Sequence, residues 1–285
     1  MPPTAEVLAA LTTPFTADGG VDIAGFRANV ERLEPEVDGV FVGGTTGEFP
    51  ALSVAEFVAL LTEALDVFGP SRVVAHVGSA STHQSLLLTA EATSLGSERF
   101  ACITPYYLPA SLAGLTRHWG MIKDACSGDL YGYLYPDVAG TDLLPADLPA
   151  ALASGIDGIK VSGAASARVG NYLAHAPDGF TLWSGNDADL PAVLAAGGRG
   201  TVSGCAGACP GPWAAFRAAY ASENRDALTA AQASIEAVVA VLGPSIANLK
   251  HALDLQGLPG GLCRMSIDAP GPQIRPVIAD VVARP

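Results

Sequence analysis

Lys160 lies where a charged side chain is costly. It stands between Ile159 and Val161 in the segment 155–163, whose apolar residues predict a strand buried on both faces. Burial of an unpaired ammonium is unfavourable, so such a site favours the neutral amine. A neutral amine is the form that attacks a ketone to give an imine. The alternative is a structural ion pair with Asp157. Their spacing of three residues disfavours it, because it puts the two side chains on opposite faces of a strand.

Lys160 is one of only three lysines. Lys123 and Lys250 lie in segments with helical periodicity, and we interpret both as solvated surface charges. Lys160 is therefore the candidate nucleophile.

Tyrosines follow the predicted strands beside Lys160. Imine chemistry needs a group that both donates and accepts protons, and a phenol does both. Tyr133 and Tyr135 are two residues apart and share a strand face, with Tyr131 earlier on that face. Tyr106 and Tyr107 follow another predicted strand. Two interpretations of this pair stay open: a functional role, or a contact in packing or between subunits.

The segment 43–48, GGTTGE, offers hydroxyls and backbone amides to an anion. Thr45 and Thr46 supply the hydroxyls, and the turn supplies N–H groups that suit a carboxylate. A phosphate-binding loop is the competing interpretation, but its GxxxxGK[ST] pattern is absent. No GxSxG or HxxxE pattern supports a serine hydrolase or a metal aldolase.

Eight short apolar runs alternate with helical patterns along the chain. Strands are predicted at Val7–Pro14, Gly39–Thr46, Arg72–Gly78, Arg99–Pro105, Leu130–Pro136, Asp157–Ser162, Phe180–Gly185 and Gly200–Gly204. Between them, Ser53 followed by Glu56 predicts a capping box that starts a helix reaching Phe68. Ser81 and Asp187 are predicted helix N-caps, and Pro145 and Pro191 suit helix entrances.

This alternation predicts an α/β fold, a (β/α)8 TIM barrel, in preference to a doubly wound sheet. The barrel is expected to span residues 1–210. Residues 211–285 are expected to form a C-terminal helical extension packed on it as part of a single structural unit. Three helices are predicted in the extension, at Pro212–Ser222, Asn224–Val241 and Pro244–Leu255. In such barrels the chemistry lies at the carboxyl ends of the strands.

Composition restricts the partners and the compartment. The chain has 285 residues, 49% of them hydrophobic, and a formal charge of −13, which disfavours nucleic acid and anionic membranes as partners. Five cysteines form no CxxC pair and no zinc-like cluster, as in a reducing compartment. No basic leader and no long apolar run is present. We therefore expect a cytoplasmic protein without a metal site.

Several motifs, in order along nearly the whole chain, resemble the dihydrodipicolinate synthase/N-acetylneuraminate lyase family. They are LTTPF near the start, GGTTGE, TPYY, the Tyr-x-x-Pro that begins at Tyr133, GIKVSG around Lys160 and SGND after the seventh strand. The resemblance implies a (β/α)8 barrel with three C-terminal helices, assembled as a homotetramer of two dimers. It also implies a lysine imine with pyruvate or another 2-oxo acid, an aldehyde as second reactant, and no cofactor.

The resemblance also implies a role for each matching residue. Lys160 matches the imine lysine and Tyr133 the proton-transfer tyrosine. Thr45 matches a relay hydroxyl, and Thr46, with the turn that includes Gly44 and Gly47, matches the carboxylate holder. Tyr107 matches a tyrosine that reaches the active site of a neighbouring subunit.

Two departures concern the substrate. Synthases of the family usually carry an arginine for a second carboxylate where this chain has Val138, and sialic acid lyases carry an acidic residue where it has Ala188. The motif Tyr133-x-Tyr135-Pro is instead similar to that of 2-keto-3-deoxygluconate-type aldolases. This similarity implies that Tyr135 and the hydroxyl of Ser162 hold the tail of the substrate. Ser162 could equally cap the following helix. The candidate substrate-binding residues at the remaining strand ends are Gly185 and Val202.

Three alternatives to an aldolase stay open. The chain could be a dihydrodipicolinate synthase in spite of Val138, or a dehydratase acting through the same imine. A non-catalytic ligand-binding homologue is the third, and the retained lysine, tyrosine and threonine set argues against it.

Overall fold

The computed structural model describes residues 4–283. Its eight strands are all parallel and form a closed barrel in the order β1-β2-β3-β4-β5-β6-β7-β8. The strands are β1 Glu6–Ala10, β2 Gly39–Val42, β3 Val73–His76, β4 Arg99–Ile103, β5 Asp129–Leu134, β6 Gly158–Val161, β7 Thr181–Ser184 and β8 Gly200–Ser203. The predicted barrel and all eight strands are confirmed. Several predicted strands were too long at their carboxyl ends, because the apolar runs continue into the loops.

Thirteen α-helices are present among the described residues. They are α1 Ile23–Leu33, α2 Val54–Phe68, α3 Thr82–Ser94, α4 Leu112–Ala125, α5 Pro136–Ala139, α6 Leu148–Ala151, α7 Val169–Leu173, α8 Leu190–Ala195, α9 Gly204–Ala208, α10 Gly211–Ala221, α11 Arg225–Leu242, α12 Ile246–Leu255 and α13 Arg275–Val282. Shorter 3-10 turns lie at Thr45–Gly47, Phe49–Ala51, Pro70–Arg72, Pro145–Asp147, Leu152–Ser154, Gly163–Arg168 and Asp187–Asp189. The three predicted C-terminal helices correspond to α10, α11 and α12, and the prediction lacked α13.

The predicted helix starts hold at α2 and α3. Ser53 and Glu56 form a complete capping box on α2, and Ser81 caps α3 by accepting from the amide of Gln84. The prediction that Asp187 is a helix N-cap is wrong, because Asp187 is the first residue of the 3-10 turn Asp187–Asp189. Its carboxylate is buried and lies 2.8 Å from the hydroxyl of Thr201, so it ties the loop after β7 to β8.

The chain divides into two compact units. One comprises the described residues of Met1–Gly69 and Ser203–Pro285, and the other comprises Pro70–Val202. In the first, β1 pairs with β2, and Leu8, Ala9 and Ala10 lie opposite Gly39, Val40 and Phe41. Helices α9 and α10 pack on β1 in the same unit. The boundary predicted at residue 210 stays a prediction.

The second unit contains the ladder from β3 to β8. Tyr133 of β5 lies opposite Ile103 of β4 on one side and Lys160 of β6 on the other. Lys160 lies opposite Trp183 of β7. All residues of β6 are buried, as expected for a barrel strand covered on both faces. The register therefore fixes Tyr133 and Lys160 as direct neighbours.

Across residues 4–283, no single helix has both the length and the apolar character needed to cross a membrane. Helices α11 and α12 meet those criteria only as a pair, and the pair is bent by 109° at the break between them.

Candidate active site

The amine of Lys160 is buried against an aromatic ring. Lys160 is 6% exposed, and its Nζ lies 3.6 Å from the centre of the Tyr133 ring. The same nitrogen donates a hydrogen bond to Ser162 Oγ at 3.2 Å. Tyr133 is itself 2% exposed. Lys160, Tyr133 and Ser162 therefore form one compact group, which we call the lysine cluster.

The lysine cluster does not include Asp157. The carboxylate of Asp157 lies 2.7 Å from Lys123 Nζ and also accepts from the amide of Leu130 at 2.8 Å. The alternative of a structural Lys160–Asp157 ion pair is therefore wrong. The interpretation of Lys123 as a solvated charge is also wrong, because the lysine ties α4 to the start of β6.

Gly185 permits the close approach of β7 to the lysine cluster. Its amide donates to the carbonyl of Val161 at 2.7 Å, and a Cβ at this position would lie 2.4 Å from Ser162 Oγ. No side chain fits in that space. Gly185 thus borders Ser162, and its role in substrate binding stays a prediction. Val202 is buried in β8, and its predicted contact with substrate stays a prediction.

Tyr135 stands next to Tyr133 at the carboxyl end of β5. The two ring centres are 6.3 Å apart. Burial, followed by the nearby Tyr133 and Asp137, raises the pKa of the Tyr135 phenol, which keeps it protonated and able to donate a hydrogen bond. Gly163, with φ of +57°, passes so close that a Cβ would meet both Tyr135 and Asp137. Asp137 in turn accepts from the amide of Ala164 at 2.8 Å.

Val138 stands 54% exposed beside Asp137. The segment after β5 thus presents an apolar side chain and a carboxylate. Neither of these offers a positive charge to an anionic substrate tail.

Tyr107 projects from the loop between β4 and α4. It is 89% exposed and has φ of +74°, which costs a non-glycine residue on the order of 1–3 kcal/mol. Thr141 holds this loop, because its hydroxyl accepts from the amide of Ala110 and donates to the carbonyl of Pro105. An exposed aromatic on a strained but anchored backbone is presented to the outside, and its link to Lys160 stays a prediction.

Thr45 and Thr46 form a tight turn in the other unit. Together with Gly47 they make a 3-10 turn directly after β2. Gly44 is required there because a Cβ would lie 2.8 Å from the Phe41 ring. Gly47 is fixed through its carbonyl, which accepts from Thr13 Oγ1 at 2.9 Å.

The turn leads directly into Glu48, which is fully buried in the left-handed backbone region at φ of +57°. Its carboxylate lies 2.6 Å from Lys250 Nζ and accepts from the amides of Arg264 and Met265. Lys250 is only 2% exposed, so its interpretation as a surface charge was wrong.

Within residues 4–283, no three His, Cys, Asp or Glu side chains are placed to hold a metal ion. The buried lysine, the tyrosine that its amine contacts and the hydroxyl group beside it supply a nucleophile and groups that move protons. This set of groups suits imine chemistry on a carbonyl compound.

The dihydrodipicolinate synthetase family profile matches residues 3–278. The chain belongs to this family. A 4-hydroxy-tetrahydrodipicolinate synthase from Exiguobacterium sibiricum is 30% identical over 263 residues, which cover 90% of each chain. Another from a second Exiguobacterium strain is 34% identical over 208 residues, covering 72% of this chain and 71% of the relative.

Solved structures agree on the fold. A dihydrodipicolinate synthase from Bacillus anthracis superposes with a TM-score of 0.90 at 26% identity, and the match covers 100% of both chains. A sialic acid aldolase from Ruminococcus gnavus has a TM-score of 0.89 at 20% identity, with 98% of this chain and 94% of that one covered, and this likeness concerns the fold alone. The predicted family is confirmed. As a member of it, this protein is a lyase of the aldolase type that acts on small molecules.

Of the predicted site residues, the structure brings Lys160, Tyr133, Ser162, Tyr135 and Gly185 together in one unit, and their roles stay predictions. Sequence reasoning missed His76, a buried side chain that packs against Tyr133. A lone histidine in the apolar run of β3 was the available signal.

Proposed function

We propose that the protein is a class I aldolase that joins Lys160 to pyruvate, or to a 2-oxo acid that contains it, as an imine. The observation that carries the proposal is the buried amine of Lys160 against the Tyr133 ring, with Ser162 as its hydrogen-bond partner. The amine attacks the ketone carbonyl, and water leaves. Cleavage of the neighbouring C–C bond then releases an aldehyde and leaves an enamine, and the reverse sequence forms the bond.

We infer the roles of the other residues from the resemblance of their motifs to those of the family. Tyr133 serves as general acid and base, with Thr45 as a relay hydroxyl. Thr46 and the backbone of the Gly43–Gly47 turn hold the substrate carboxylate. Tyr135 and Ser162 hold the tail of the substrate, and Gly185 and Val202 are further substrate-binding residues. No cofactor takes part, because the imine itself withdraws the electrons.

The wider setting is proposed on the same basis. We expect a cytoplasmic homotetramer built from two dimers, with Tyr107 of each subunit reaching its neighbour. The exposed side chain of Tyr107 supports this arrangement. The net charge of −13 supports a small-molecule partner in place of nucleic acid or a membrane.

Reduction with borohydride tests the proposed function. The enzyme is incubated with pyruvate and sodium borohydride, digested and analysed by mass spectrometry. We expect a reduced adduct on the peptide that contains Lys160, with the mass of pyruvate less water plus two hydrogens. An unmodified Lys160 would reject the proposal and favour the non-catalytic homologue.

The second candidate function is 4-hydroxy-tetrahydrodipicolinate synthase, the name that the curated relatives carry. It shares the imine with pyruvate but needs aspartate semialdehyde, which brings a second carboxylate. Asp137 and Val138 present no cation to that carboxylate. We therefore favour an aldehyde without an anionic tail. A dehydratase that acts through the same imine is a further alternative. Identification of the products by mass distinguishes the two reactions, since only the aldolase releases pyruvate and an aldehyde.

Val138→Arg should improve condensation with aspartate semialdehyde. A guanidinium that grips a carboxylate with two hydrogen bonds contributes about 1.5–3 kcal/mol, which is roughly a 10- to 100-fold gain in kcat/KM. The measurement compares aspartate semialdehyde with an uncharged aldehyde of similar size. Val138→Leu is the control, because it keeps the site apolar and should change neither value. Equal kcat/KM values for Val138→Arg and the wild type would show that this position does not face the substrate tail.

A further inference from the structure

His76 is the last residue of β3, and its side chain faces the lysine cluster. It is 1% exposed, and its ring meets the Tyr133 ring edge to face, with centres 5.9 Å apart and planes at 81°. Another contact of Tyr133 is the amine of Lys160, 3.6 Å from the ring centre. The ring of Tyr133 thus has the reacting amine as one neighbour and the imidazole as another.

The imidazole is anchored to the strand that neighbours Tyr133. The amide of Ile103 donates to His76 Nε2 at 3.3 Å, and Ile103 lies directly opposite Tyr133 in the β4–β5 ladder. Because Nε2 accepts this hydrogen bond, the neutral ring carries its proton on Nδ1. Both the orientation of the ring and its distance from Tyr133 are therefore tied to the backbone.

Gly78 leaves the room that the imidazole needs. A Cβ at Gly78 would lie 2.9 Å from His76 Nε2 and 2.4 Å from the amide nitrogen of Ile103. A larger residue would break the hydrogen bond that holds the ring. The imidazole thus occupies a place shaped by β3 and β4 together.

We propose that His76 is a positioning residue that holds the phenol of Tyr133 against the amine of Lys160. This inference rests on the proposed function, since it assigns His76 an effect on proton transfer by Tyr133. Edge-to-face packing restrains the tilt of the phenol, and a displacement of about 1 Å in a catalytic group costs on the order of 100-fold in rate. Without the imidazole, the phenol gains space to tilt away from the amine.

The experiment uses pyruvate alone, so it does not depend on the aldehyde. Hydrogen exchange at the methyl group of pyruvate in deuterated water, followed by NMR, reports proton transfer between imine and enamine. Two variants separate the two contacts of the imidazole. His76→Gln keeps an acceptor for the Ile103 amide but removes the ring, whereas His76→Phe keeps the ring and removes the acceptor.

We expect exchange to slow by about 10- to 100-fold in His76→Gln, with the half-saturating pyruvate concentration changed by less than about threefold. In His76→Phe exchange should stay within about threefold of the wild type, although the melting temperature falls because the Ile103 amide loses its partner. Normal exchange in His76→Gln, or exchange in His76→Phe as slow as in His76→Gln, would overturn the positioning role.

His118 provides a matched control. It is equally buried, but it contacts Cys102 Sγ at 3.3 Å and Thr82 Oγ1 at 2.9 Å, between β4 and the helices outside the barrel. His118→Gln should lower the melting temperature and leave the exchange rate unchanged. If the wild type itself shows neither exchange nor an adduct on Lys160, the proposed function fails. An adduct and exchange in the wild type with equal exchange in His76→Gln reject only the inference on His76.

Discussion

Lys160→Met will yield a folded protein that forms no borohydride-stable adduct with pyruvate and turns over at least about a thousandfold more slowly. The amine has no replacement within the lysine cluster, because Tyr133 and Ser162 carry only hydroxyl groups there. Methionine has similar length and no charge, so it fills the same buried space. Since methionine replaces a buried polar group by an apolar one of similar length, the melting temperature should be unchanged or higher.

Lys123→Met is the matched control for that experiment. Lys123 lies in the same unit and ends in an ion pair with Asp157, with the two side chains 28% and 37% exposed. Its removal should cost about 1 kcal/mol of stability and leave the adduct intact. The sequence contains only one other lysine, Lys250, so peptide mapping has few alternatives. An adduct that persists in Lys160→Met would assign the imine to another amine and contradict the mechanism.

The barrel was predictable because its signal is local. Each strand is buried on both faces, so it reads as a short apolar run, and the helices between strands show their own periodicity. Lys160 was identified from local sequence as well, since a lysine between Ile159 and Val161 is a polar residue within an apolar run. The strand ends were less well defined, because side chains just beyond them, such as Leu11 and Val77, are buried in the loops as well.

Contacts between distant residues were not predictable from the sequence. His76 meets Tyr133 only because the register across β3, β4 and β5 brings them together. Glu48 and Lys250 are 202 residues apart in the chain. A partial signal existed for Lys250, which lies four residues after Ile246 and three before Leu253, on the apolar face of its helix. The spacing was enough to place Lys250 on the apolar face of its helix, but it did not predict Glu48 as the partner.

The second large effect concerns that buried ion pair. Lys250→Met should lower the free energy of unfolding by about 3–5 kcal/mol, because it removes the ammonium that contacts the buried carboxylate of Glu48. The amides of Arg264 and Met265 still donate to Glu48 but bring no full positive charge. Urea unfolding followed by circular dichroism measures the loss. Arg217→Met is the control, since its pair with Asp38 is about 30% exposed and should cost no more than about 1 kcal/mol.

The double variant Glu48→Gln with Lys250→Met isolates the charge from the hydrogen bonds. A glutamine oxygen still accepts from the amides of Arg264 and Met265, while no charge remains buried. The double variant should therefore be more stable than Lys250→Met alone, and a double-mutant cycle should give a coupling of about 2 kcal/mol or more. A coupling near zero would show that the buried charges do not depend on each other.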